Sequence, residues 1–213
     1  MNIETVRKLA GSEEIDYQFL LSVLSEYSYP RDKITEWLKS GDLVRVKKGL
    51  YIFGQRVAMV PYSHEILANL IYGPSAVSLQ YALAYYGLIP ERVITVTSIT
   101  NKRNKSFSTP VGGFTYHYLS PIKYPVGIEL MRPSKNNHFL MASPEKALCD
   151  HIYLTDKSIK LDDLEAVNAY LLYDLRIDEG ALRSFKISKL SAISKIYKDT
   201  RLDLLTKFIK RWK

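Results

Sequence analysis

The sequence predicts an α+β protein: a small helical unit closed by a β-ribbon, a mixed unit whose small, largely antiparallel sheet is packed by helices, and a helical C-terminal part. Three observations lead there. Apolar residues recur at helical spacing near the N-terminus, then give way to β-prone runs around a glycine turn. Strand-like segments fill the middle of the chain. Helical spacing returns at Ser143 and holds to the end.

In chain order, residues 3–10 suit a short first helix. From Asp16 to about Tyr27, the stripe Tyr17, Leu20, Leu21, Leu24 is helical, with Asp16 placed as N-cap, and 28–30 breaks it. The next stretch, PRDKITEWLKSGDLVRVKKGLYIFG from Pro30 to Gly54, organises the N-terminal unit. Ile34, Trp37 and Leu38 fall at i, i+3 and i+4, with Pro30 in the first turn and Gly41 at the C′ stop. Leu43, Val44 and Val46, then Leu50, Tyr51, Ile52 and Phe53, read as two strands joined by Lys47-Lys48-Gly49. Three helices running into a basic-tipped hairpin give the outline of a winged helix-turn-helix over residues 1–56. In that arrangement the third helix enters a major groove and the hairpin touches phosphates. The same pattern is also that of an ordinary piece of α+β core. Asp32 and Glu36 on the outward face repel phosphate, although a carboxylate accepts a hydrogen bond from cytosine N4.

Residues 55–61 read as a linker, and 62–213 as the second unit. Ser63 to Tyr72 is a helix stopped by Gly73-Pro74, and Ser78 to Tyr86 a helix ending at Gly87. Strand-like runs follow at Val93–Ile99, Gly113–Leu119, Gly127–Met131 and His138–Met141, the last two separated by a polar Pro-Ser-Lys-Asn-Asn turn. Asn101 to Ser106 is a basic loop, read first as a solvated hairpin connection and second as a phosphate contact. Ser143-Pro144-Glu145 starts a helix, with serine as N-cap, proline at N1 and an acid in the positive first turn. It presents Leu148, Cys149, Ile152 and Tyr153 to a core. Helices at about 161–173, 178–185, 188–197 and 200–212 complete the chain, the last with an apolar face of Leu202, Leu205, Phe208, Ile209 and Trp212.

Composition narrows the function. The 213 residues are 46% hydrophobic, enough for a core, and the net charge of +8 favours a polyanionic partner. From Arg183 onward, ten basic residues face two acids, an excess equal to the whole net charge. Cys149 is the one cysteine, which excludes an internal disulfide and a cysteine-built zinc site. No stretch has the apolar core of a signal peptide or the length to span a bilayer, so a soluble, cytoplasmic protein is expected. His64, His117, His138 and His151 lack metal-ligand spacing, and there is no phosphate-binding loop, dinucleotide fingerprint or carboxylate cluster. No catalysis, cofactor or metal is expected.

The residues chosen for duplex DNA follow from charge and position. Arg31, Lys33, Thr35, Glu36 and Lys39 are candidates for base edges or adjacent backbone on the third helix. Arg45, Lys47 and Lys48 on the ribbon, Lys102, Arg103 and Lys105 on the basic loop, and Lys207, Lys210 and Arg211 near the C-terminus are candidates for phosphates.

Three blocks in order carry a family resemblance: WLKSGDLVRVKKGLYIFG, AVSLQYALAYYGLIPE at 76–91, and SPEKALCDHIY at 143–153. Over roughly residues 16–155 the chain resembles the AbiEi antitoxins of bacterial type IV toxin–antitoxin systems. The resemblance implies an N-terminal winged helix-turn-helix that binds and represses its own operator. It also implies a C-terminal antitoxin domain that counters a nucleotidyltransferase-like toxin without a stable complex being assumed. Two other readings remain open: a winged-helix regulator with no antitoxin role, and a protein-interaction module whose charge is incidental. Packing of the last helix on its own domain outweighs membrane-surface binding.

Overall fold

The computed structural model describes residues 1–134, 137–154 and 159–211. The chain is α+β. Its N-terminal part runs α1 (Ile3–Leu9), β1 (Glu14–Asp16), α2 (Tyr17–Val23), α3 (Pro30–Lys39), β2 (Leu43–Lys47), β3 (Leu50–Phe53). Each of the first two helices starts on a side-chain cap: Asn2 Oδ1 accepts Thr5 N–H at 2.9 Å, and Asp16 Oδ1 accepts Phe19 N–H at 2.7 Å. Helix α3 needs no such cap because Pro30 occupies its first position, and Gly41 follows it at φ +76°, a conformation natural to glycine.

The three strands form an antiparallel sheet in the order β1-β3-β2. Strand alternation gives it two faces. Ile15, Leu43, Tyr51 and Phe53 pack with Leu20, Leu24, Ile34 and Trp37 in the N-terminal core, while Val46, Leu50 and Ile52 belong to the core of the rest of the chain. The ribbon is thus covered on both faces, and only its turn and its outer edge are left to solvent.

Downstream lie α4 (His64–Ile71), β4 (Ser75–Val77), α5 (Leu79–Tyr85), β5 (Val96–Thr100), β6 (Lys105–Thr109), β7 (Gly112–Tyr118), β8 (Ile128–Met131), β9 (Phe139–Ala142) and α6 (Pro144–Leu154). The second sheet has the order β6-β7-β5-β4-β9-β8, with β5–β7 and β4–β9 parallel and the remaining pairs antiparallel. It is a mixed sheet. The sequence pattern joins the runs around 93–99 and 113–119 by a simple loop; instead β6 intervenes, pairs with β7 and lets β5 and β7 run parallel. Consequently Lys105 opens a strand and is not a loop residue.

Helices cover both faces of this sheet. Tyr116 donates its hydroxyl to Ala68 O of α4 at 2.7 Å on one face. On the other, Thr97 Oγ1 donates to Ser78 O at 2.7 Å and accepts Tyr81 N–H at 3.1 Å, which seats the start of α5. Helix α6 packs beside α5. Helices α7 (Leu164–Ala169), α8 (Glu179–Ser184), α9 (Ile187–Tyr197) and α10 (Thr200–Lys210) follow, α7 running on into a π turn over Tyr170–Asp174. Helix α10 packs on α6, α7 and α9. Cys149 is buried in the core, as its place on the apolar stripe predicts. Part of the polar turn before β9, together with Trp212, lies outside the described residues. Among those residues no helix is long and apolar enough to cross a membrane.

Candidate nucleic-acid interface

Two basic surfaces emerge. The first forms where three chain segments meet. Tyr17 N–H, at the start of α2, donates to Gly49 O in the ribbon turn at 3.0 Å, and the hydroxyl of Tyr17 accepts from Arg31 Nε, at the start of α3, at 3.1 Å. One tyrosine therefore fixes the ribbon turn, the N-terminus of α2 and that of α3 in a single patch. Arg31 and Lys48 are both exposed there. Gly49 has φ +84°, which lets the turn close tightly against Tyr17. Arg45 lies opposite Tyr51 on the helix-facing side of the ribbon, stacked over its ring at 5.8 Å, and is exposed beside α3.

Not all of α3 is available. Lys33 Nζ bonds both carboxylate oxygens of Glu36 at 2.9 Å, and the Thr35 hydroxyl donates back to Arg31 O at 2.8 Å. Lys33 and Glu36 therefore present a self-neutralised pair, and Thr35 must exchange a backbone bond to reach a ligand. Arg31 and Lys39 remain as exposed cations at opposite ends of the helix.

The second surface lies where the ribbon meets α4. The expectation that Lys47 projects from the ribbon tip is corrected by a β-bulge. Between Arg45 and Lys47 the register shifts, so that Lys47 stands opposite Leu50, and the bulge turns its side chain toward the second sheet. There its ammonium donates to Ile71 O, the last residue of α4, where the helix dipole is negative. Burial lowers the Lys47 pKa, and the charges of Lys105 and Lys102 lower it further. Lys102 donates to Gly73 O at 2.6 Å, and Lys102 and Lys105 each lie 5.5 Å from the centre of the Tyr72 ring. Lys47, Lys102 and Lys105 are thus gathered from a ribbon strand and a remote hairpin. Arg103 is exposed on the same hairpin.

Lys207, Lys210 and Arg211 are exposed on or just after α10. They sit in the helical layer built on α6, on the α5 side of the large sheet, whereas the ribbon meets α4 on the other side. The two groups do not form one surface. Sequence reasoning misses the tyrosines that organise the basic patches, Tyr17 and Tyr72; the one signal for them is the abundance of tyrosine, 16 residues in all. Among the described residues no group of three or more His, Cys, Asp or Glu is placed to hold a metal ion.

Neither a protein-family model nor a curated protein matches this chain.

Proposed function

We propose that the N-terminal unit is a winged helix-turn-helix that docks on duplex DNA, and that the protein acts as an antitoxin-type autorepressor of the AbiEi kind, opposing a nucleotidyltransferase-like toxin. The observation that carries the DNA reading is the junction at Tyr17. It brings Arg31, at the N-terminus of α3, beside the exposed Lys48 of the ribbon turn, where one would reach a base edge and the other a flanking phosphate. Arg45 extends the phosphate-facing edge. The antitoxin half rests on the three sequence blocks alone. Repression itself requires no catalytic group, since occupying a promoter suffices.

The test is a mobility shift on the duplex upstream of the protein's own reading frame, alongside a scrambled duplex. Lys48→Glu is expected to weaken both about equally and to flatten the log–log salt dependence by roughly 0.9 for each phosphate that is no longer neutralised. Arg31→Ala is expected to reduce the difference between the two duplexes by about 1–3 kcal/mol, the worth of one bidentate base interaction. Unchanged binding in both variants would overturn the duplex reading. Growth rescue against an adjacent nucleotidyltransferase toxin separates an antitoxin from a plain regulator.

A further inference from the structure

We propose that the cleft between Tyr72, the 101–104 loop and Tyr118 is a binding site for single-stranded nucleic acid, separate from the duplex surface at Arg31 and Lys48. The cleft measures about 770 Å³ and is lined by Tyr72, Asn101, Lys102, Arg103, Asn104 and Tyr118. It lies at the end of the large sheet, on the face carrying Tyr116, just past the point where α4 stops covering it.

Its charge is unbalanced. Lys47, Lys102 and Lys105 crowd together, and the charges that act on the Lys47 ammonium are those of the other two lysines, with no carboxylate among them. Such a cluster repels itself, and a phosphate chain would relieve it. Lys47 and Lys102 each spend a donor on a backbone carbonyl, and an ammonium has donors left over.

Its aromatic content selects the strand type. Tyr118 is 48% exposed, unusual for a large ring on a sheet, while Tyr72 packs edge-on against Tyr116 with the rings 5.2 Å apart, which holds the cleft wall. An exposed ring beside lysines offers a stacking platform for a base whose face is free. Bases in a duplex have both faces covered by their neighbours, so only an unpaired base can use Tyr118. The loop is also held in advance. Asn104 Oδ1 accepts Tyr118 N–H at 2.6 Å, Thr100 Oγ1 accepts Lys102 N–H at 3.2 Å, and the Thr100 hydroxyl donates to Pro74 O at 2.7 Å. A preorganised loop loses little entropy on binding.

The experiment measures the anisotropy of labelled oligouridylate and oligothymidylate octamers, with an octamer-length duplex as comparison, on the full-length protein. Wild type is expected to bind the single strands more tightly than the short duplex. Tyr118→Ala should weaken single-strand binding about tenfold and Tyr118→Phe should restore it, because stacking needs the ring and not the hydroxyl. Lys102→Glu with Lys105→Glu should weaken it further and flatten its salt dependence. A preference for the uridylate assigns RNA and for the thymidylate DNA; either supports the site. Arg31→Ala and Lys48→Glu should leave octamer binding unchanged, so the two surfaces fail independently. Equal affinity of Tyr118→Ala and wild type for both octamers would overturn the proposal, as would complete absence of octamer binding.

Discussion

Lys146 has no accessible side-chain surface, yet it is a lysine four residues before an aspartate that is equally enclosed. Its ammonium lies 3.1 Å from Asp150 Oδ1 and donates to the Tyr197 hydroxyl at 2.7 Å and to Lys123 O at 3.3 Å, while Ser78 donates to Asp150 Oδ2 at 2.7 Å. Tyr197 also donates to Asp150. Helical spacing shows that Lys146 and Asp150 share a face and that Leu148, Cys149 and Ile152 are core. It gives no sign that the polar pair is buried too, because two of its partners, Ser78 and Tyr197, come from α5's N-cap and α9. Removing one member of such a pair leaves the other charge unpaired in the interior. Lys146→Met is expected to cost about 3–5 kcal/mol, read as a lower urea midpoint, and adding Asp150→Asn should recover part of it. An unchanged midpoint for the single variant would show that the pair is solvated.

At the scale of elements, α3 and the ribbon are legible because their signals are local: Pro30, the Ile34–Trp37–Leu38 spacing, and glycines at 41 and 49. The short strands are not. β1 and β4 have three residues each, too few for alternation to register, and exist because a neighbouring strand offers them a hydrogen-bond ladder. β6 begins inside a basic run that reads as loop. The bulge at Lys47 likewise leaves no mark in sequence, although it decides which way that lysine points. Gly54 illustrates a local demand with a distant cause. A Cβ there would sit 1.8 Å from Gly41 O, so the chain leaving the ribbon passes directly against the end of α3. Gly54→Ala must push the two apart, and a loss of roughly 3 kcal/mol or more is expected in thermal or urea unfolding. Wild-type stability of that variant would mean the junction is loose.

Across the whole molecule, two carboxylates join the N-terminal unit to the linker that follows it. Glu13 Oε1 accepts the N–H groups of Met59 and Val60 at 2.9 Å each and pairs with Arg7, whose Nε lies 3.1 Å away. Glu14 accepts Ser63 N–H at 2.5 Å. Burial raises the Glu14 pKa above its ordinary 4.5, against the opposing pull of the Ser63 bond. For an acid with a raised folded pKa, the stability it contributes is fully present below the unfolded value and is lost as pH rises through the folded one. Glu14→Gln keeps an oxygen for Ser63 and carries no charge. The variant is therefore expected to melt higher than wild type at neutral pH, with the gain shrinking to nothing as pH falls below 4.5. A gain that persists in acid would assign the effect to something other than ionisation.

The sequence by itself determined the α+β class, the helix–ribbon core of the N-terminal unit, the burial of Cys149 and the positive charge, since spacing, caps, turn glycines and composition act over a few residues. Only the tertiary structure decided that the ribbon is covered on both faces, that Lys47 turns inward to join Lys102 and Lys105 beside Tyr72, and that the C-terminal lysines lie behind the large sheet. Those outcomes depend on strand register and on packing between residues dozens of positions apart, which no local pattern encodes.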